Sequence, residues 1–146
     1  MTIHFSPAPE SPFEIRERVR WSHCDPMGII WYGTYLRFIE AAEQEMFRSC
    51  GLPYSEVRIA RGLMFPRKAL NLEFHAPAQL DEEVIIQAWF SKIGTTSFTM
   101  RFEVLRASDR AQRASASLTV VHVDRATMKP HALPDDVKDL MKSYSC

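Results

Sequence analysis

Between Phe13 and Trp21 apolar and polar residues alternate: Phe13, Ile15, Val19 and Trp21 fall on one side, Glu14, Arg16, Arg18 and Arg20 on the other. A period of two predicts a strand with one wet face, interrupted on its apolar side by Glu17. The rhythm then changes. Tyr35, Phe38, Ile39, Ala42 and Met46 recur at helical spacing while Arg37, Glu40, Gln44 and Arg48 take another face, which predicts an amphipathic helix. Its expected end is Cys50-Gly51, because glycine accepts the positive φ found at helix C-termini. Residues 53–60 read as a short second helical turn.

Four strand-like segments follow. Lys68 to His75 alternates Leu70, Leu72 and Phe74 with Asn71, Glu73 and His75, and Ala76-Pro77 closes it. Glu83 to Ser91 is more uniformly apolar, so both of its faces are expected to be covered. Ser97 to Leu105 alternates Phe98, Met100, Phe102 and Val104 with Ser97, Thr99, Arg101 and Glu103. Ala114 to Val123 is rich in small and β-branched residues. Turns are expected at Gln79-Leu80-Asp81-Glu82, Lys92-Ile93-Gly94-Thr95 and Ser108-Asp109-Arg110, and Pro134-Asp135-Asp136 suits a helix start. The order strand, helix, four strands predicts an α+β fold in which one long helix covers one five-stranded antiparallel sheet.

Composition narrows the functional classes. The 146 residues suffice for one domain with a real core, and apolar and charged fractions of 46% and 25% are those of an ordinary globular protein. Eighteen basic residues balance 18 acidic ones, so no global field draws the chain to nucleic acid or to an anionic membrane. Neither is an expected partner, and no apolar run approaches transmembrane length. Cys24, Cys50 and Cys146 are an odd number without metal-ligand spacing, which argues against a disulfide framework and for a reducing cytoplasm. The start MTIHFSPAPESP lacks the pattern of a signal peptide and reads as a flexible extension over residues 1–12, leaving 13–146 as a single domain.

The candidate chemistry lies in RWSHCDPMGIIWYGTY, residues 20–35, between the first strand and the helix. Asp25, in an Asp-Pro-Met-Gly turn, is a carboxylate able to attack an acyl carbon or to take a proton from water. The helix start around Trp31 to Gly33 offers unpaired backbone N–H groups and the positive end of the helix dipole, a main-chain site for a developing oxyanion. Gly28 and Gly33 would let a substrate approach the backbone. The plainer reading of Asp25 is a turn-closing or helix-capping residue.

The stretch CDPMGIIWYGTY, with Ala41-Ala42, Cys50-Gly51-Leu52-Pro53, Phe65-Pro66 and Leu72 to Pro77, resembles the 4-hydroxybenzoyl-CoA thioesterase family of hotdog-fold proteins. The resemblance covers roughly residues 13–123. It implies a long helix wrapped by a five-stranded antiparallel sheet, homodimers joined sheet edge to sheet edge, homotetramers built from them, and active sites between subunits. It also implies Asp25 as nucleophile or general base and the Tyr32 backbone N–H as the group polarising a thioester carbonyl. No metal or other cofactor is required, since coenzyme A arrives as part of the acyl-CoA substrate.

Around that centre, His23, Gly28, Trp31, Tyr35, Phe65 and Lys92 are the candidate substrate-binding residues, and the aromatic content points to a bulky or aromatic acyl group. The sequence departs from the family in two places. His23 stands where relatives often carry an acid; its roles are to orient the carboxylate, to help activate water, or to satisfy a turn carbonyl. In the turn from Lys92 to Thr96 only Lys92 is basic, and Arg61, Arg67, Lys68, Arg106 and Arg110 are the alternative phosphate partners. Cys24 reads as a small buried residue. Two other functions fit the same fold: a dehydratase using His23 with Glu40 or Glu43, and a non-catalytic acyl-CoA binding protein.

Overall fold

The computed structural model describes residues 8–145; residues 1–7 of the expected N-terminal extension, and Cys146, lie outside the described residues. The chain runs β1 (Phe13–Arg18), α1 (Thr34–Ser49), β2 (Arg67–Phe74), β3 (Glu83–Ile93), β4 (Ser97–Arg106), β5 (Gln112–Val121) and α2 (Asp135–Met141), with a π-helical turn at Ser55–Ala60. The five strands form one antiparallel sheet in the order β1-β3-β4-β5-β2, so β1 and β2 are its edges. Along the chain four strands follow α1 as expected, and among the described residues the one long helix is joined by α2, the π-helical turn and 3-10 turns at Trp21–His23 and Lys142–Tyr144.

Alternation along the strands decides which face meets the helix. Val84, Ile86, Ala88 and Phe90 of β3, Phe98, Met100, Phe102 and Val104 of β4, and Ala114, Ala116, Leu118 and Val120 of β5 share one buried cluster with Tyr35, Phe38, Ile39, Ala42, Met46 and Phe47 of α1. Phe47 is its hub: its ring lies 5.3 to 6.4 Å from those of Tyr54, Phe65, Phe90 and Phe98. Ile85 and Trp89 point to the other face and are buried as well, so β3 is covered on both sides as its apolar run implied. The helix ends as expected. Gly51 adopts φ +85°, and the Gly51 and Leu52 N–H groups close onto the Arg48 and Phe47 carbonyls.

One expectation fails at the end of β1. Trp21 was placed on the strand's apolar side, but the strand stops at Arg18 and Trp21 begins a tight turn, 70% exposed. The cause is local hydrogen bonding. Extended pairing persists through Val19, which exchanges bonds with Asp81 and Glu82; then His23 N–H bonds the Arg20 carbonyl and the Arg20 N–H donates to His23 Nδ1, curling the chain before Trp21 can reach the sheet.

The core face of α1 also carries a carboxylate that the periodicity did not anticipate. Glu43 is 1% exposed and its Oε2 accepts from Arg67 Nη2 at 2.6 Å, tying the helix to the start of edge strand β2. Burial pushes its carboxyl above the ordinary value while Arg67 opposes the shift. Removing Arg67 leaves that burial unopposed and raises the folded-state value further. The native state then holds a proton that the unfolded chain has lost, so stability falls as pH rises through the window above the ordinary carboxylate value. Arg67→Met is therefore expected to destabilise the protein by about 3 kcal/mol at pH 8 and by clearly less at pH 5. Urea unfolding at the two pH values measures this, and equal losses would refute it.

Candidate functional site

After the curl at residues 20–24 the chain forms a narrow hairpin. Asp25 N–H bonds the Ile29 carbonyl at 2.9 Å, Cys24 bridges to Ile30, and Trp31 N–H bonds the His23 carbonyl at 2.9 Å. At the tip, Gly28 N–H returns to the Asp25 carbonyl, and Gly28 takes φ +76°, a left-handed position that glycine occupies without strain. Two further bonds fasten the hairpin to the loop after β2: Ile30 N–H to Ala78 O at 2.8 Å and Leu80 N–H to Gly28 O at 3.2 Å. The site is therefore built on the scaffold rather than hung from it.

Asp25 is half-buried in this tip. Its Oδ1 accepts the Met27 N–H at 2.8 Å, so the turn-closing reading is correct for one oxygen. Oδ2 has no hydrogen-bond partner among the described residues. The two readings of this acid are thus compatible, because the bond that closes the turn also aims the carboxylate.

Helix α1 begins at Thr34, later than Trp31 to Gly33, and Gly33 is its N-cap without a side-chain capping bond. The amides of Thr34, Tyr35 and Leu36 are taken by the carbonyls of Trp31, Tyr32 and Gly33. Tyr32 and Gly33, just before them, have N–H groups with no acceptor among the described residues. They form the electropositive end of the helix, reached through the same hairpin strand that carries Asp25.

Beside these amides lies a cavity of about 240 Å³ lined by Ile30, Tyr32, Tyr35 and the segment from Phe74 to Pro77. Tyr35 is buried, its hydroxyl accepting from Ala78 N–H at 3.3 Å, and burial raises its phenol above the ordinary value. Phe74 lies 6.4 Å from Tyr32 and 5.7 Å from Tyr35, ring centre to ring centre. The Phe74 to Pro77 wall was not among the expected site residues. Its only sequence signal was a large apolar residue at a strand end followed by a strand-closing Ala-Pro.

The remaining candidates separate. Trp31 is half-exposed and lies over Gly33 with its ring 5.0 Å from that of Tyr32. Gly33 therefore accommodates the indole, and approach of a substrate is not needed to explain it. His23 sits behind the tip: Nδ1 accepts from Arg20, and the ring meets Phe38 edge-on at 5.2 Å. Cys24 is held against Arg20 O, and burial with the nearby carboxylates Asp25 and Asp81 raises its thiol above the ordinary value, so it stays protonated. Phe65, within 6.4 Å of Phe47, Phe98 and His122, and Lys92, paired in register with Thr99, stand at the opposite end of the strands. Within one chain they are not brought to the Asp25 hairpin.

Of the alternative phosphate partners, Arg61, Arg67, Arg106 and Arg110 are each committed to a carboxylate, on Asp136, Glu43, Asp109 and Glu14. Glu40 is exposed and bonded to Gln44, and Glu43 is bound to Arg67, so neither acid is placed with His23 as a dehydratase would need.

The profile of the Thioesterase-like superfamily matches residues 19–140. The chain belongs to this superfamily. It is 30% identical over 96 residues to 4-hydroxybenzoyl-CoA thioesterase of Pseudomonas sp. strain CBS-3, an alignment covering 64% of this chain and 68% of that one. With the acyl-CoA thioester hydrolase YbgC of Escherichia coli O157:H7 it shares 29% identity over 120 residues, 82% and 88% of the two chains. The solved structure of the Pseudomonas enzyme superposes with a TM-score of 0.78 at 28% identity over 87% of this chain and 96% of that one. The five-stranded antiparallel sheet with its helix matches the hotdog fold of these thioesterases.

The glycines at the hairpin tip and at the start of α1 make different demands. At Gly28 an added Cβ meets nothing within 4 Å but must adopt positive φ, so Gly28→Ala is expected to destabilise by about 1 kcal/mol with the site otherwise intact. At Gly33, φ is −66° and no backbone penalty applies, but a Cβ would collide with the Trp31 ring. Gly33→Ala should leave unfolding nearly unchanged and displace Trp31, seen as altered indole resonances by NMR. An unmoved Trp31 would contradict this contact.

Proposed function

We propose that the protein is an acyl-CoA thioesterase, hydrolysing a thioester to a carboxylic acid and free CoA. The observation that carries this reading is the pairing within one hairpin of a carboxylate with one oxygen fixed and one unengaged, and unpaired amides at the start of α1. Two routes use this apparatus. Asp25 Oδ2 attacks the carbonyl carbon, the C–S bond breaks to release the thiolate, and water then opens the mixed anhydride. Alternatively, Asp25 takes a proton from the attacking water and returns it to the departing sulfur. In both, negative charge develops on the carbonyl oxygen, and the Tyr32 N–H is the donor for it. A thioester suits so modest an apparatus because its carbonyl is weakly resonance-stabilised and a thiolate leaves readily. CoA enters and leaves with the substrate, and the reading calls on no metal or other cofactor.

The cavity bounded by Tyr32, Tyr35 and Phe74 holds the acyl group, and its rings favour a flat, aromatic one. The relationship to 4-hydroxybenzoyl-CoA thioesterase supports this substrate class. His23 serves as a positioning residue whose ring fixes the curl beneath the hairpin, since its Nδ1 is already engaged. Gly28 shapes the tip, and Trp31 screens the helix start.

The assembly is a homodimer through β2. This strand is a sheet edge, and Leu70 and Phe74 on it are 46% and 54% exposed, an apolar edge that invites pairing. Antiparallel pairing of two β2 strands sets the start of one against the end of the other. The partner's Phe65, just before its own β2, then approaches the cavity beside Phe74, and the partner's Lys92 lies at that same end of its sheet. This arrangement returns Phe65 to the cavity, whereas Lys92, on β3, stays behind β4 and β5 from the β2 edge, and two such dimers make the tetramer. No helix among the described residues is long and apolar enough to cross a membrane. A cytoplasmic location suits the free thiols of Cys24 and Cys50.

Thiol release from a series of aliphatic and aromatic acyl-CoAs tests the activity. Asp25→Asn keeps the Oδ1 bond to Met27, so the variant should fold and retain CoA-ester binding while turnover falls by at least a thousandfold. Near wild-type rates in this variant would sink the mechanism. Leu70→Lys should shift the protein toward monomer in sedimentation velocity and reduce turnover with it; an unchanged dimer would remove β2 as the interface.

A further inference from the structure

One buried ion pair has no role in the chemistry above, that of Arg113 with Glu82. Successive residues of a strand face alternate sides, but β5 breaks the alternation at Arg113. Ala114 stands opposite Val104 of β4 and Gln112 opposite Leu105, so Arg113 is the extra residue of a β-bulge. A bulge re-aims a side chain. Arg113 is only 7% exposed, and its guanidinium meets Glu82, at the end of the β2–β3 connection, through two parallel bonds: Nε to Oε2 at 3.0 Å and Nη2 to Oε1 at 2.7 Å.

The connection that this pair closes, residues 75–82, carries both main-chain bonds that fasten the Asp25 hairpin to the loop after β2: Ile30 N–H to Ala78 O and Leu80 N–H to Gly28 O. Arg113 grips the connection at its two ends. Its carbonyl accepts from the His75 and Ala76 N–H groups at 2.9 and 3.3 Å, which holds the cavity wall. Its side chain holds Glu82, whose own N–H turns back to Gln79 O at 3.0 Å and whose carbonyl accepts from Val19 N–H. The pair also stands beside Tyr35: burial dominates the upward shift of that phenol, and the Arg113 and Glu82 charges both act on it, in opposite senses.

We propose that Arg113 and Glu82 are positioning residues of the Asp25 site, the pair fixing residues 78–80 and, through their backbone bonds, the hairpin that carries Asp25 and leads to the Tyr32 amide. This rests on the acyl-CoA thioesterase reading. Neither side chain is required to touch the substrate. A buried ion pair adds little net stability over apolar residues of equal volume, but a parallel fork fixes distance and direction together, which is what a site held by backbone bonds needs. The two grips of Arg113 have separate effects. The carbonyl that holds the cavity wall does not depend on the side chain, whereas Glu82 is held by the guanidinium, so substituting either side chain loosens the hairpin's anchor and leaves the wall in place.

Arg113→Lys keeps the charge without the fork, and Glu82→Gln keeps a hydrogen bond without the charge. Each is expected to lower kcat about tenfold while KM for an aromatic acyl-CoA changes by no more than about twofold. Wild-type kcat in both variants would overturn the proposal. The double variant Arg113→Met with Glu82→Leu separates position from stability, because replacing both partners of a buried pair restores stability that Arg113→Met alone loses. A positioning role predicts that the double variant regains the urea midpoint and not kcat; kcat recovering together with the midpoint would reduce the pair to a structural contact.

Amide hydrogen exchange reads the same clamp without turnover. In Arg113→Lys and Glu82→Gln the Ile30 and Leu80 amides should exchange about tenfold faster, while the His75 and Ala76 amides and those along β4 keep their wild-type rates. Unchanged rates at Ile30 and Leu80, or acceleration spread evenly over β4 and β5, would overturn the proposal. Protein inert toward every thioester, with this exchange pattern present, would instead count against the thioesterase reading alone.

Discussion

Everything at the candidate site hangs on the way α1 is seated against the sheet. Phe47, Met46, Phe38 and Ile39 bury one helical face on alternate residues of β3, β4 and β5, and an interior packed this densely leaves the helix little freedom to slide or rotate. With the helix fixed, its first turn is fixed, and so are the two amides that precede it. The hairpin from His23 to Trp31 is then closed at both ends, by α1 on one side and by the Ala78 and Leu80 backbone bonds on the other. A chemical site needs groups held to fractions of an ångström, and here main-chain hydrogen bonds do the holding.

This seating also explains why the site lies at a sheet edge. The strand order puts β2 outermost, and the segment leaving β2 is the one that binds the hairpin. Phe74 is consequently placed between two duties. Its ring walls the cavity beside Tyr32 and Tyr35, yet more than half of it remains uncovered on the edge. A residue this apolar in such a position suits a surface completed by another chain, which is why dimerisation and acyl binding are proposed as one event.

The parts of the fold that were legible in the sequence are those where a periodicity was long and uninterrupted. The apolar stripe of α1, the two-sided run of β3 and the glycine stop at Gly51 all announce their physical role within a few residues. Trp21 shows the limit. Its alternation with Val19 predicted strand, but a side chain to main chain bond from His23 to Arg20 decided the backbone, and such a bond has no periodicity to read. Glu43 shows another: on a helical wheel it is a polar residue beside a core stripe, and only the start of β2, 24 positions later, explains its burial.

At the site itself, the acid and the helix start were legible because they are close in sequence, whereas the walls were not. Tyr35 was foreseeable from its place on α1, but Phe74 reaches it only through strand order, and Arg113 and Glu82 belong to β5 and to the approach to β3. The sequence places Phe74 and Arg113 tens of positions apart, and antiparallel register alone brings Phe74 opposite Ala114, next to Arg113. The one-residue bulge at Arg113, moreover, breaks the alternation by which a strand is read. The Asp25 carboxylate and the unpaired amides of Tyr32 and Gly33 are local because one short stretch of chain holds them. The cavity wall is non-local because the sheet assembles it, so substitutions that alter register at the β2–β5 pair alter the cavity while leaving that stretch in place.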